Sequence, residues 1–121
     1  NAPCGMVLGQ ANFEGSQLNQ GGYFPTPSSL SMPYGVTVMK DRWLIAADTA
    51  NSRLVAWTDE LTMGKTAQGL TGQAHFRSKS ENRSYGGPSR QSLSWPYGIT
   101  VCGNTAIIAD SGNNRILLWS F

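Results

Sequence analysis

Residues Trp95–Trp119 read WPYGITVCGNTAIIADSGNNRILLW, and the chain holds this pattern twice, since Met32–Trp57 reads MPYGVTVMKDRWLIAADTANSRLVAW. Pro33, Tyr34 and Gly35 recur 63 residues later as Pro96, Tyr97 and Gly98, and Asp48, Asn51 and Arg53 recur 62 residues later as Asp110, Asn113 and Arg115. The one-residue difference falls where MKDRW becomes CGNTA. Two copies of one folded unit change length in a turn, because a slip inside a strand would turn its whole apolar set to the wrong face.

Each copy reads as three strands, here a, b and c. Strand a covers 35–39 and 98–102, with β-branched residues behind a Pro-Tyr-Gly entry. Strand b covers 43–48 and 105–110, and strand c covers 53–57 and 115–119. The turn Cys102-Gly103-Asn104-Thr105 is a tight hairpin, as Gly and Asn tolerate positive φ. LIAA and ILLW are apolar at consecutive positions, which predicts sheets covered on both faces. No apolar run is long enough for a helix before Gly, Pro or Asn interrupts it.

Outward from this unit, Val7–Phe13 (VLGQANF) returns as Leu70–Phe76 (LTGQAHF), again 63 residues on. A strand d is therefore expected at 6–10 and 67–73, giving the order d, long loop, a, b, c twice over. Four antiparallel strands per repeat match a β-propeller blade. The period exceeds the roughly 40–50 residues usual for such repeats. The excess lies in the d–a loops, Glu14–Ser31 and Arg77–Ser94, which are rich in Gly, Ser, Pro, Asn and Gln.

Strand parity places these long loops and the b–c turns, Asp48–Ser52 and Asp110–Asn114, at the same end of the sheets, where binding is to be sought. The first loop carries only Glu14, whereas the second carries Arg77, Lys79, Arg83 and Arg90 against Glu81, a net −1 against +3. This divergence points to a shared structural role with specialised chemistry in the second loop; the alternative is a solvated loop kept soluble by its charges.

Whole-chain composition narrows the classes. The 121 residues make one domain by length, and 40% hydrophobic content supplies a core, while a net charge of +2 argues for neither nucleic acid nor a membrane surface. Apolar runs fall short of transmembrane length. Cys4 and Cys102 stand isolated, without metal-ligand spacing, and His75 is the single histidine. No G-x-S-x-G elbow and no phosphate-cradling Gly loop appears. The residues thus predict no catalytic set, no metal and no cofactor.

The segments AADTANSRLVAW and IADSGNNRILLW, led by PYGVTV and PYGITV, resemble the NHL-repeat family of β-propellers. VLGQANF and LTGQAHF, with the SL-x-x-P segments Ser29–Pro33 and Ser92–Pro96, resemble a bacterial NHL subgroup. Ala50 stands where Gly112 keeps the turn Gly of the pattern, and neither copy has His after Asn51 or Asn113. The resemblance implies an all-β chain, residues 1–121 forming one propeller segment with blades about 33–76 and 96–121, completed by strand 6–10. Six blades are common in the family, so three copies of this chain would close a ring; the alternative is a piece of a longer six-bladed parent.

The resemblance also implies a non-catalytic binding or scaffold module whose partner is a protein or small ligand. RNA binding is the alternative, with propeller hydrolase or lyase chemistry behind it. Candidate binding residues are Tyr34, Tyr97, Arg83, Arg90 and Tyr85, though the two Pro-linked tyrosines read equally well as packing residues. Asp48, Asn51 and Arg53, with Asp110, Asn113 and Arg115, form a turn motif. Its presence in each repeat favours structure over acid–base catalysis. Asp48 and Asp110 are expected to accept backbone N–H groups in the turn, and Asn51 and Asn113 to suit left-handed backbone.

Overall fold

The computed structural model describes residues 2–84 and 86–120. Strands β1 (Pro33–Met39), β2 (Trp43–Asp48), β3 (Arg53–Trp57) and β4 (Gly69–Thr71) form one antiparallel sheet in chain order. Strands β5 (Pro96–Cys102), β6 (Thr105–Asp110) and β7 (Arg115–Ser120) form a second. The helical content of the described residues is limited to short 3-10 turns at 18–21, 49–51, 81–84 and 111–113. The chain is all-β, with the expected a, b and c strands in place.

The length difference between repeats sits in the a–b turn. Met39 pairs with Trp43 across three residues, with Lys40 and Asp41 at φ 54° and 51° and Arg42 N–H donating to Met39 O at 3.1 Å. Cys102 pairs with Thr105 across two, with Gly103 at φ 59°. Both a strands carry a register irregularity at the Pro-Tyr-Gly entry, where proline cannot donate to the ladder.

Two expectations are corrected. The strand expected at 67–73 contracts to Gly69–Thr71, because Gly72 at φ 95° turns the chain away from β3. Residues 6–10 form no strand. The β3 edge of the first sheet is already taken by β4. The N-terminal segment instead lies across a sheet face, with Val7 O accepting Gly64 N–H at 3.0 Å and Leu8 packed against the cluster of Ala46, Val55, Trp57 and Ala67.

The sheets pack face to face. Met39, Ile45, Ala47 and Leu54 of the first meet Ala106 and Ile108 of the second, with Leu93 inserted and Ile99, Val101, Leu117 and Trp119 alongside. The first sheet's other face buries Ala46, Val55 and Trp57 under Leu8, Leu30, Leu61 and Phe76, but leaves Val36 and Val38 exposed. Covering is therefore two-sided only for the first sheet. On the second, β7 alternates, and Ile116 and Leu118 are 59% and 72% exposed.

Candidate functional site: the loop-bearing end

Each long loop is fastened to the b–c turn of its own repeat by one hydrogen-bond network, built twice. Asp48 Oδ1 accepts Ser31 N–H at 2.7 Å, and Asp110 Oδ1 accepts Ser94 N–H at 2.8 Å. The other oxygen accepts Asn51 Nδ2 (2.8 Å) and Arg53 Nε (2.6 Å), and correspondingly Asn113 Nδ2 (2.8 Å) and Arg115 Nε (2.7 Å). The guanidinium then reaches into the loop, where Arg53 Nη2 donates to Thr26 O and Ser29 O, and Arg115 Nη2 to Ser89 O and Ser92 O.

A reciprocal amide pair closes the network. Asn19 Nδ2 donates to Asn51 Oδ1 at 3.0 Å while Asn51 Nδ2 donates to Asn19 Oδ1 at 2.8 Å, and Asn82 with Asn113 repeats this at 2.9 and 2.8 Å. Asn19 and Asn82 hold left-handed backbone at φ 49° and 52°, a conformation that costs a non-glycine residue on the order of 1 kcal/mol. Their side-chain bonds and the backbone bonds Asn19 N–H to Leu30 O and Asn82 N–H to Leu93 O, both 2.9 Å, offset that cost.

The turn motif departs from expectation in two details. The aspartates accept N–H groups from the long loop rather than from within the turn. The left-handed residues are Ser52 (φ 51°) and Asn114 (φ 54°), one position beyond the expected asparagines. Both Asp48 and Arg53 are fully buried. Burial pushes the Asp48 carboxyl above its ordinary value, opposed by the Arg53 charge and then by the bonds from Ser31, Asn51 and Arg53. With both oxygens engaged and no water access, this carboxylate holds the loop and is not placed to move a proton of a substrate.

Between each fastened loop and the Gln-Ala turn before it, at residues 10–11 and 73–74, lies a cleft, and it too occurs twice. In the first repeat it is about 350 Å³ and lined by Gln10, Glu14, Ser16 and Gln20 among others. In the second it is about 290 Å³, with Gln73, Arg77, Lys79 and Arg83 at the matching positions, and Tyr23 and Phe24 of the first loop closing its rim. Lys79 Nζ donates to Tyr23 O at 2.7 Å and sits 3.9 Å from the Tyr23 ring centroid, tying the two long loops together. Gln73 Nε2 donates to Asn51 O, Ser52 O and Ser80 O and forms the floor.

The sequence-predicted binding residues do not converge. Arg83 lines the second cleft, whereas Arg90 lies in a separate groove beside Leu117 and Trp119. Tyr34 and Tyr97 meet edge to face with ring centroids 4.6 Å apart, and Tyr34 is 70% exposed. Tyr85 lies outside the described residues. Missed at the sequence level were Asn19, Asn82, Ser31, Ser94, Gln73, Tyr23 and Phe24. All but the two aromatics recur at the 63-residue offset, so aligning the loops as well as the strands would have found them.

Among the described residues no group of three or more His, Cys, Asp or Glu side chains is arranged to hold a metal ion, and both cysteines are free and exposed. No helix there is long and apolar enough to cross a membrane. No protein-family model and no curated protein matches the chain.

Proposed function

We propose that the two sheets are blades of an NHL-type β-propeller and that the chain is a non-catalytic binding module, taking a protein or small ligand at its loop-bearing end. The observation that carries this is the doubled network. It fixes two long polar loops, which would otherwise be costly to order, into one rigid surface with concave features. The Asp–Arg pair of each repeat is occupied in that task, which supports a non-catalytic reading. Backbone amide NMR with a panel of neutral, cationic and anionic small molecules tests it. Binders should shift amides of 14–31 and 77–94. Shifts clustered at the opposite turns, 40–42 and 103–104, would refute it.

A second reading concerns the open sheet faces. The exposed face of the second sheet, with Gly98, Ile107, Ala109, Ile116 and Leu118, repeats the face that the first sheet buries through Gly35, Ile45, Ala47, Leu54 and Ala56. We propose that another pair of such blades covers it, from further copies of this chain closing a six-bladed ring, or from the remainder of a longer parent. Gly98 supplies the test. A Cβ on Gly35 would stand 2.7 Å from Tyr97 O and 2.8 Å from Ile99 N across the internal contact, whereas one on Gly98 meets only Ala109 Cβ at 3.7 Å. Light scattering should give about three times the 13.1 kDa chain mass, reduced to one by Gly98→Ala with the fold intact. A stable 13.1 kDa monomer before substitution would exclude ring closure by copies.

A further inference from the structure

The two clefts at the loop-bearing end share one backbone framework and carry two chemistries. Glu14, Ser16 and Gln20 of the first repeat are Arg77, Lys79 and Arg83 in the second, each at the 63-residue offset. The backbone that carries them is the same, down to left-handed φ at Gln20 (53°) and Arg83 (55°). The fold of the loop itself therefore does not require cations at these positions, because the first repeat builds the same loop without them.

Nor are the charges neutralised. The ion pairs of the described residues are Arg42–Asp59, Arg53–Asp48 and Arg115–Asp110, so Arg77, Lys79 and Arg83 face one cleft with no carboxylate opposite, although Lys79 Nζ gives one bond to Tyr23 O. The one carboxylate of this loop, Glu81, accepts the Trp95 indole N–H at 3.0 Å. Three like charges around one concavity repel each other unless an anion joins them. The rim is aromatic, with Tyr23 and Phe24 edge to face at 4.8 Å and exposed by 74% and 58%. We infer that this second cleft binds the phosphate group of a small phosphomonoester whose apolar or aromatic body rests on Tyr23 and Phe24. Guanidinium groups suit such an oxyanion because they match its oxygens two at a time. The cleft, about 290 Å³, is at the small end of ligand sites and admits a monoester rather than a dinucleotide.

This inference rests on the binding role of the loop-bearing end but names a narrower ligand, so the two fail separately. The probes are phenyl phosphate, inorganic phosphate and phenol, titrated calorimetrically into the intact chain and followed by backbone amide NMR. Phenyl phosphate should bind one per chain, more tightly than inorganic phosphate, with phenol inert and the shifts centred on 73–84. The variant Arg77→Glu, Arg83→Gln installs the first repeat's own residues and leaves the Lys79–Tyr23 contact in place, so it should keep the wild-type urea midpoint. Each charge-assisted hydrogen bond removed should weaken binding about tenfold or more. Unchanged phosphate affinity in that variant would overturn the inference. So would binding seen only with a single-stranded oligonucleotide and steeply salt-dependent. Neutral compounds that still shift 77–94 while all phosphates fail would overturn the ligand class and leave the binding face standing.

Discussion

Replacing Asp48 by Asn tests the network where it is most buried. The amide keeps the shape and one oxygen for Ser31 N–H, but turns its own NH₂ toward the donors Asn51 Nδ2 and Arg53 Nε, 2.8 and 2.6 Å away. Arg53, fully buried, then holds a positive charge with backbone carbonyls alone for partners. Breaking a buried ion pair from one side costs about 3–5 kcal/mol. With a urea m-value of about 1–3 kcal/mol/M, the midpoint should fall by on the order of 2 M. Asp110→Asn is the internal control, since Arg115 has the matching aspartate and loop partners, without the Phe76 O bond of Arg53, and a side chain 26% exposed, so water can share its charge. Its cost should be about 1–3 kcal/mol. Equal costs at the two sites, or less than about 1 kcal/mol at Asp48, would refute the argument from burial.

Two further outcomes follow from the same geometry. Gly35→Ala should destabilise by about 1–3 kcal/mol in thermal or urea unfolding, because its Cβ meets backbone atoms of β5 that cannot step aside, whereas Gly98→Ala should leave the isolated fold within about 0.5 kcal/mol of wild type. The Trp95 indole bond lowers the Glu81 pKa from 4.5, so that contribution is present above the unfolded value and is lost as pH falls through the folded one; the acid shift of tryptophan fluorescence should be absent in Glu81→Gln.

Strands were legible because their signal is local. The a, b and c runs carry β-branched and apolar residues between turn formers, and β2, β3 and β6 agree with expectation at both ends. Strand d was not, because its pairing depends on which edge is free. The segments 6–10 and 67–73 read alike, yet only the second meets an open β3 edge. The Asp-Asn-Arg motif was recognisable as structural from its repetition, but its partners lie in the long loops, 17 residues away for Ser31 and 32 for Asn19. Residues so distant give no local spacing signal within one repeat, and only their recurrence at the 63-residue offset marks them. The cationic cleft was half visible: the charge excess of the second loop is in the sequence, but its division between Arg83 in the cleft and Arg90 in another groove is set by how the loop folds back.

Comparison of the two repeats separates scaffold from site without any other sequence. The hydrogen-bonding positions carry the same or equivalent residues in both: Asn19 and Asn82, Ser29 and Ser92, Ser31 and Ser94, Asp48 and Asp110, Asn51 and Asn113, Arg53 and Arg115. Each has a partner whose loss would strand a buried polar group, so the same physics dictates the same residue twice. The three cleft positions that change to cations lie outside this shared set: Gln20 Nε2 donates to Gly9 O and Ser28 O in the first repeat and Lys79 Nζ to Tyr23 O in the second, so no one residue is dictated there twice. Where one backbone is built twice, a position whose residue changes is not fixed by the shared network, and the change is free to serve a ligand. On the proposed reading Arg77, Lys79 and Arg83 carry the ligand chemistry, while the six motif residues hold the loops that present them.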